Sequence, residues 1–219
     1  MSNLATNNNA VTQNSLEVNR MQVHSESDPF TADRYRQFAS HLPKQGLRIL
    51  DCGCNTGRGG DVLRQELPNA KLYGIDLLPE RIDQIPAGIY EKAMAISSAS
   101  LPFEDNFFDA IVSGEVVEHI PDPDLLATFE EFRRVLKPDG KILLTTPNPN
   151  AYLVKLGRTH IFDEPSHVNI MSPGLLKAKL ARCGLRLIKA VGSGRSFRYV
   201  GENFPLFNVY GSYLAIVAQ

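Results

Sequence analysis

Two carboxylates and an imidazole, Glu115, Glu118 and His119, follow the apolar segment 108–113. One turn of helix would place both carboxylates on the same side, with His119 beside them. This donor set suits a divalent cation such as Mg, Mn, Fe or Zn. Alternatively, Glu118 and His119 are catalytic without a metal, with His119 orienting or deprotonating the substrate, or all three residues are structural. His119 cannot act as ligand and base through the same nitrogen.

A second candidate site is the glycine-containing turn 51–57, which lies between an apolar run and a helical pattern. Glycines at such a turn allow a ligand to approach the main chain closely. Asp76 ends the next apolar run, where a carboxylate can accept hydrogen bonds from both hydroxyls of a ribose. A dinucleotide-binding turn or a plain tight turn would also fit. The dinucleotide fingerprint needs a small residue where Arg58 stands, so that alternative is disfavoured.

The elements that must position these residues alternate between apolar runs and helical patterns. Predicted strands cover 48–52, 71–75, 90–96, 108–113, 141–145, 185–191 and 212–218; predicted helices cover 31–42, 62–67, 79–85, 124–135 and 173–183. A turn is predicted at 137–140. Residues 147–172 are predicted to be irregular and to form a lid over the acceptor, meaning the molecule on which the site would act. The alternation predicts an α/β fold: a doubly wound, Rossmann-like, seven-stranded and mostly parallel sheet with an antiparallel C-terminal strand.

The composition of the 219 residues predicts one domain over 30–219, after a polar tail at 1–29 that we expect to be disordered. Three cysteines are too few for a disulfide framework, and no apolar run reaches the roughly 20 residues of a membrane span. These features predict a soluble, cytoplasmic protein.

Charge gives a weaker indication of the partner. The net charge of −1 does not favour nucleic acid, but Lys and Arg outnumber acidic residues by nine to two over 151–200. This excess suggests a small-molecule acceptor that is anionic, although solvated helix faces would explain it equally well. Arg158, Arg195 and Arg198 are the candidates for binding an acceptor phosphate or carboxylate.

Over residues 46–191 the chain resembles the class I S-adenosylmethionine-dependent methyltransferases. The resemblance is carried by RILDCGCNTG, YGIDLLPERI, LPFEDNFFDAIVSGEVVEHIPDP and FRRVLKPDGKILLTTPNP. It implies S-adenosylmethionine as cofactor, with Asp76 on the ribose, Leu77 on the adenine, and Asp51 and Gly53 shaping the methionine pocket. The full set of implied cofactor-binding residues is Asp51, Gly53, Cys54, Asn55, Gly57, Asp76, Leu77, Ser97, Ser113 and Glu115.

Two positions depart from the pattern of this family. Asn55 stands where the family usually has glycine, but asparagine tolerates positive φ better than most residues. Many members also carry an aspartate shortly before LPF that accepts from the adenine amino group. Here Ala95, Ile96 and Ser97 occupy those positions, so Ser97 or a backbone carbonyl would have to substitute.

The ExxEH arrangement followed by a later histidine resembles two methyltransferase groups, the ubiquinone-type O-methyltransferases and the small-RNA 2′-O-methyltransferases. Both imply a divalent cation, Mg or Mn, held here by Glu115, Glu118, His119 and His167. We expect O-methylation of a small molecule: a phenol, a quinone precursor, a sugar or a natural-product intermediate. The alternatives are an RNA 2′-O-methyltransferase, disfavoured by the missing RNA-binding domain, and a non-catalytic S-adenosylmethionine-binding partner subunit.

Overall fold

The computed structural model describes residues 16–22, 27–157 and 160–219, apart from the side chain of His160. Its centre is a seven-stranded sheet in the order β3-β2-β1-β4-β5-β7-β6. The strands are β1 (Arg48–Cys52), β2 (Lys71–Asp76), β3 (Lys92–Ala95), β4 (Phe108–Gly114), β5 (Leu136–Pro147), β6 (Arg186–Ser193) and β7 (Ser212–Ala218). The first five strands pair in parallel, and β7 lies antiparallel between β5 and β6. The predicted fold class is confirmed.

Helices cover both faces of the sheet. They are α1 (16–20), α2 (Thr31–Ser40), α3 (Arg58–Glu66), α4 (Pro79–Ile82), α5 (Asp122–Val135), α6 (Tyr152–Lys155), α7 (His160–Asp163), α8 (Pro173–Arg182) and α9 (Phe197–Val200), with 3₁₀ turns at Val117–His119 and Phe207–Val209. No helix within the described ranges is long and apolar enough to cross a membrane.

Two apolar cores hold these layers together. Leu50 of β1 packs on one face with Phe129 of α5 and Leu176 of α8. The neighbouring Ile49 points to the other face and packs with Phe38 of α2 and Leu63 of α3. Successive residues of a strand point to opposite faces, so a strand that is apolar throughout must be covered on both sides.

The predicted turn at 137–140 is a bulge within β5. Leu136 pairs with Phe108 and Lys141 pairs with Ala110, so residues 137–140 lie opposite Asp109 alone. The Lys137 ammonium reaches the Asp109 carboxylate at 2.6 Å across this bulge. The pairing of Leu136 with β4 is long-range, so turn-forming residue types alone could not reveal it.

The described part of the predicted tail, 16–22 and 27–29, is packed against the domain, unlike the disorder expected from its composition. Val18 of α1 is 6% exposed, and Arg81 donates to the Gln22 side chain at 2.9 Å. A polar composition does not reveal that one apolar residue finds a core contact. Residues 1–15 and 23–26 lie outside the described residues, so disorder there stays a prediction, as does the domain boundary at 30.

Candidate active site

The turn after β1 is fixed against β2 by its own main chain. The N–H groups of Gly53 and Cys54 both donate to the Ile75 carbonyl, at 2.8 and 2.9 Å. Gly53 has φ of +77°, and a Cβ atom there would lie 2.3 Å from Cγ2 of Val116, so only glycine fits. Asn55 adopts a φ of 49°, as its place in the turn requires. Gly53, Cys54 and Asn55 therefore border a large cavity with a tightly held main chain.

Asp76, at the end of β2, faces the same cavity. Its carboxylate accepts from the N–H groups of Leu78 at 3.0 Å and Asn55 at 3.1 Å. Burial raises the pKa of Asp76, while Arg81 and the two backbone donors act in the opposite direction. The result is a buried carboxylate in a fixed orientation, which is what recognition of vicinal hydroxyls requires.

Asp51 is expected from the sequence to shape the methionine pocket, but its hydrogen-bond partners in the structure are two tyrosine hydroxyls. It is fully buried, and its two carboxylate oxygens accept from the hydroxyls of Tyr35 at 2.7 Å and Tyr90 at 2.6 Å. Burial raises the pKa of Asp51 to about 6, against the effect of the tyrosine hydrogen bonds. Tyr35 lines the cavity and Asp51 does not. Asp51 therefore acts on the cavity by holding Tyr35 in place.

A smaller cavity, here named the adenine pocket, lies beyond the ends of β2 and β3 and beside the first turn of α5, and it shares Gly53 and Asp76 with the large cavity. It encloses about 470 Å³, counting its open mouth. Its apolar walls are Ile75, Leu77, Ile96, Val116 and Ile120, and its polar lining is Asn19, Asp76, Ser97, Ser98 and Asp124. Leu77 and Ser97 thus lie at the cavity, whereas Gly57 and Ser113 do not border it. Gly57, with φ of +85°, is instead the N-cap residue of α3.

Arg34 is a cavity-lining residue that sequence reasoning missed. It lies on α2 with 6% exposure, pairs with Asp28 at 2.8 Å and lies 3.7 Å from Glu115. Burial acts to lower the pKa of Arg34, but Glu115 and Asp28 outweigh it and raise the pKa. The helical pattern of α2 indicated its apolar face, but it did not indicate that the guanidinium of Arg34 is buried beside that face.

Glu115 and Glu118 point to different neighbours. Glu115 has φ of 55°, and its carboxylate accepts from Ser212 at 3.2 Å. Glu118 is fully buried and accepts from Thr146 at 3.1 Å through Oε2, while its Oε1 has no partner among the described residues. Burial, followed by the nearby charge of Glu115, raises the pKa of Glu118 well above its usual range.

The rings of His119 and His167 lie side by side, with centroids 4.8 Å apart. Nδ1 of His119 lies 2.9 Å from the Ser166 carbonyl, and Nδ1 of His167 lies 2.7 Å from the Ile161 carbonyl. A carbonyl only accepts, so each Nδ1 carries the proton and each Nε2 keeps a lone pair. Burial, followed by His167, lowers the pKa of His119 to about 3.

Glu118, His119 and His167 form a cluster whose ligand atoms all lie within 4.8 Å of one another. Glu115, the fourth predicted ligand, is outside this cluster. Its backbone turns through a left-handed conformation, which directs the side chain to Arg34 and Ser212. Of the four ligands predicted from the sequence, the structure therefore brings three together and directs the fourth, Glu115, elsewhere.

One cavity joins these parts. It is lined by the turn after β1, Asp76, Arg34, and the cluster of Glu118, His119 and His167. The lid contributes Leu153, Ile161, Glu164 and Ser166, and Arg195 lies on the same lining after β6. Residues 158–159 of the lid, including Arg158, lie outside the described residues. A ligand on Asp76 and a ligand on the histidines would share one enclosure.

Comparison with known proteins agrees with this geometry. A family model for a methyltransferase domain matches residues 25–190. The ubiquinone biosynthesis O-methyltransferase of Xanthomonas axonopodis pv. citri is 31% identical over 170 residues, which cover 70% of this chain and 69% of that protein. The enzyme of that name from Cereibacter sphaeroides is 30% identical over 141 residues, 61% of this chain and 55% of that protein. The chain thus spans only about half the length of some curated relatives.

Among solved structures, a SAM-dependent methyltransferase from Archaeoglobus fulgidus superposes with a TM-score of 0.67. The two share 21% identity, and the match covers 86% of this chain and 92% of the other. At that identity the likeness concerns the fold, whereas the family assignment follows from the matched domain and the curated relatives. The chain belongs to the class I S-adenosylmethionine-dependent methyltransferases.

Proposed function

We propose that this methyltransferase transfers the methyl group of S-adenosylmethionine to a hydroxyl oxygen of a small molecule, with a divalent cation beside the acceptor. The observation that carries this proposal is the shared cavity, which is lined by Asp76 at one end and by the cluster of Glu118, His119 and His167 at the other. The relatives named as O-methyltransferases support oxygen as the acceptor atom.

The cluster fits a cation by its donor chemistry. Oε1 of Glu118 is buried without a partner, and both histidines donate through Nδ1 to a backbone carbonyl. Histidine ligands are commonly oriented in this way by a second hydrogen bond. Two imidazoles and one carboxylate suit Mn²⁺ or another first-row cation better than Mg²⁺, which prefers oxygen ligands. A cation bound there would lower the pKa of an acceptor hydroxyl, so that its proton would pass to solvent before the oxygen receives the methyl group.

His119 acts in this proposal as a ligand and not as the general base. A base works best when its pKa lies near the operating pH, and burial lowers the pKa of His119 to about 3. Such an imidazole is neutral at physiological pH, so its Nε2 is available to a cation but takes up a proton poorly. Glu118 completes the cluster on the side facing Thr146.

The cofactor end of the cavity aligns the methyl donor. Asp76, whose carboxylate is held by two backbone N–H groups, would accept from the ribose hydroxyls. S-adenosylmethionine supplies the activated methyl group and a neutral thioether leaving group. The chain contributes mainly by holding acceptor oxygen, methyl carbon and sulfur in line.

We also propose that the acceptor carries an anionic group. Arg195 lines the cavity, is exposed, and has no ion pair in the described part of the chain. The other cavity-lining arginines are occupied: Arg34 and Arg81 lie near Asp28 and Asp76, and Arg58 donates to the Asp28 carbonyl. A carboxylate or phosphate on the acceptor would pair with Arg195. Arg198, in contrast, is paired with Asp33.

Metal dependence tests the proposed function. Methyl transfer from labelled S-adenosylmethionine to catechol and to 3,4-dihydroxybenzoate is measured after chelation and after addition of Mn²⁺ or Mg²⁺. We expect turnover to be lost on chelation and restored best by Mn²⁺, with the benzoate preferred and that preference abolished in Arg195→Gln. Unchanged turnover with chelator would refute the cation, and methylation of RNA alone would replace the small-molecule proposal.

A further inference from the structure

The adenine pocket lacks the family's usual acceptor for the adenine amino group. Ala95 and Ile96 offer no polar side chain at the positions where an aspartate is common. Ser97 lines the pocket, but its hydroxyl already accepts from the Ala99 N–H at 3.2 Å. The hydroxyl of Ser98 is bonded to that of Thr128 at 2.8 Å. Both serine hydroxyls are thus already engaged within the chain, and neither carries the charge of the aspartate that is common there.

Asp124 supplies a carboxylate to the same pocket from another part of the chain. It lies in the first turn of α5, is half-buried, and borders the pocket together with Leu77 and Ser97. A carboxylate only accepts hydrogen bonds, whereas an exocyclic amino group only donates them. The helix dipole favours negative charge in a first turn, so this acceptor suits its position on α5.

Asn19 borders the pocket from the opposite end of the chain. Its helix, α1, is fastened close to Asp76, because Gln22 accepts from Arg81, which lies 3.6 Å from the Asp76 carboxylate. An asparagine amide both donates and accepts, and it can pair with the amino group and a ring nitrogen of adenine together. Asn19 can therefore provide the hydrogen-bond donor that the carboxylate of Asp124 lacks.

We propose that Asp124 and Asn19 recognise the polar edge of the cofactor's adenine, in place of the carboxylate that is missing before Leu101. Asp124 accepts from the amino group, and Asn19 covers the base and pairs with its edge. The assignment depends on cofactor binding alone and is independent of the acceptor and of the cation.

Calorimetric titration with S-adenosylhomocysteine and S-inosylhomocysteine tests this assignment. The inosyl compound carries an oxygen where adenine has its amino group. It therefore lacks the exocyclic N–H from which Asp124 would accept a hydrogen bond. We expect the wild-type chain to prefer the adenosyl compound by tenfold or more. Asp124→Asn should weaken adenosyl binding about tenfold and leave inosyl binding equal or tighter, while Asn19→Ala should weaken adenosyl binding by a smaller factor.

Glu130→Gln is the matched control, because it removes one negative charge from an exposed position of α5 away from the pocket. This variant should keep the wild-type affinities and the wild-type preference. An undiminished preference in Asp124→Asn would overturn the assignment of Asp124, and unchanged affinity in Asn19→Ala would overturn that of Asn19. Both assignments would fall with the cofactor site itself if the wild-type chain bound neither compound.

Discussion

The part of the cavity proposed to hold the cofactor and the part proposed to hold the cation, here named the cofactor end and the cation end, are built in opposite ways. At the cofactor end the turn 53–55 and Asp76 follow two neighbouring parallel strands, and Cys52 is the register partner of Ile75. At the cation end Glu118 and His119 meet His167, which the chain delivers from the lid. The first end depends on main-chain hydrogen bonds between adjacent strands, and the second on side chains brought together over a long loop.

This difference predicts that the two ends can be damaged separately. Among the residues that the structure describes, the cofactor end shares no hydrogen bond with the histidine pair, whose Nδ1 atoms are held by Ser166 and Ile161. Substitutions at one end should therefore leave ligand affinity at the other nearly unchanged, since independent sites behave additively.

Asp76→Ala should produce the largest effect. It removes the buried carboxylate proposed to accept from both ribose hydroxyls, and hydrogen bonds to a charged group contribute roughly 1.5–3 kcal/mol each. We expect S-adenosylhomocysteine affinity to fall by about 10²–10⁴-fold in calorimetry. Mn²⁺ affinity in the same variant is the internal control and should stay near the wild-type value. A parallel loss of Mn²⁺ binding would contradict the separation of the two ends.

Asp51→Asn should change the pH dependence of stability. Burial raises the pKa of Asp51 from 3.8 to about 6, so the folded state holds this proton more tightly than the unfolded state. The associated stability is fully present below about pH 4 and is lost as the pH rises through about 6, a change of about 3 kcal/mol. The variant has no carboxyl to titrate there, so it does not lose this stability. The difference between its unfolding free energy and that of the wild type should therefore rise in favour of the variant between about pH 4 and 7. Parallel curves in urea unfolding would contradict this prediction.

Glu118→Gln should break the cation end alone. The amide preserves the shape but removes the charge that a cation requires, and we expect Mn²⁺ affinity to fall about 10²-fold. Affinity for S-adenosylhomocysteine should stay within about twofold of the wild type, because the cofactor residues are untouched. Retained Mn²⁺ binding in calorimetry would remove Glu118 from the ligand set.

Glu115→Gln should have the smallest effect on cation binding. The carboxylate of Glu115 faces Ser212 and Arg34 instead of the histidines. Mn²⁺ affinity should therefore not fall by more than about twofold, and loss of the Glu115 charge, which raises the pKa of Glu118, acts towards tighter binding. A loss as large as that of Glu118→Gln would restore the four-ligand set predicted from the sequence.

The local geometry of the turn after β1 and of Asp76 was more predictable from the sequence than the arrangement of the histidine cluster, for a physical reason. The bounds of β1 and the positions of Gly53, Asn55 and Asp76 follow from local apolar runs and from the conformations that glycine and asparagine permit. Parallel pairing of β1 with β2 then places the turn after β1 beside Asp76 at the end of β2. The sequence indicated the S-adenosylmethionine fold for the same reason.

Arrangements that depend on tertiary packing were not predictable from local patterns. Arg34 lies in an ordinary helical pattern, and the hydroxyls that occupy Asp51 come from Tyr35 and Tyr90, far from it in the chain. The exclusion of Glu115 from the cluster depends on a single backbone angle, φ of 55°. Helical spacing had placed both glutamates on one side, but only a short 3₁₀ turn, Val117–His119, forms there.

The most direct test is a crystal structure with S-adenosylhomocysteine and Mn²⁺, with diffraction recorded on both sides of the manganese absorption edge. We predict one anomalous peak bounded by Glu118, His119 and His167, with the ribose of the cofactor product on Asp76 in the same cavity. A manganese peak coordinated by Glu115, no peak at the histidine pair, or a ribose away from Asp76 would contradict the account.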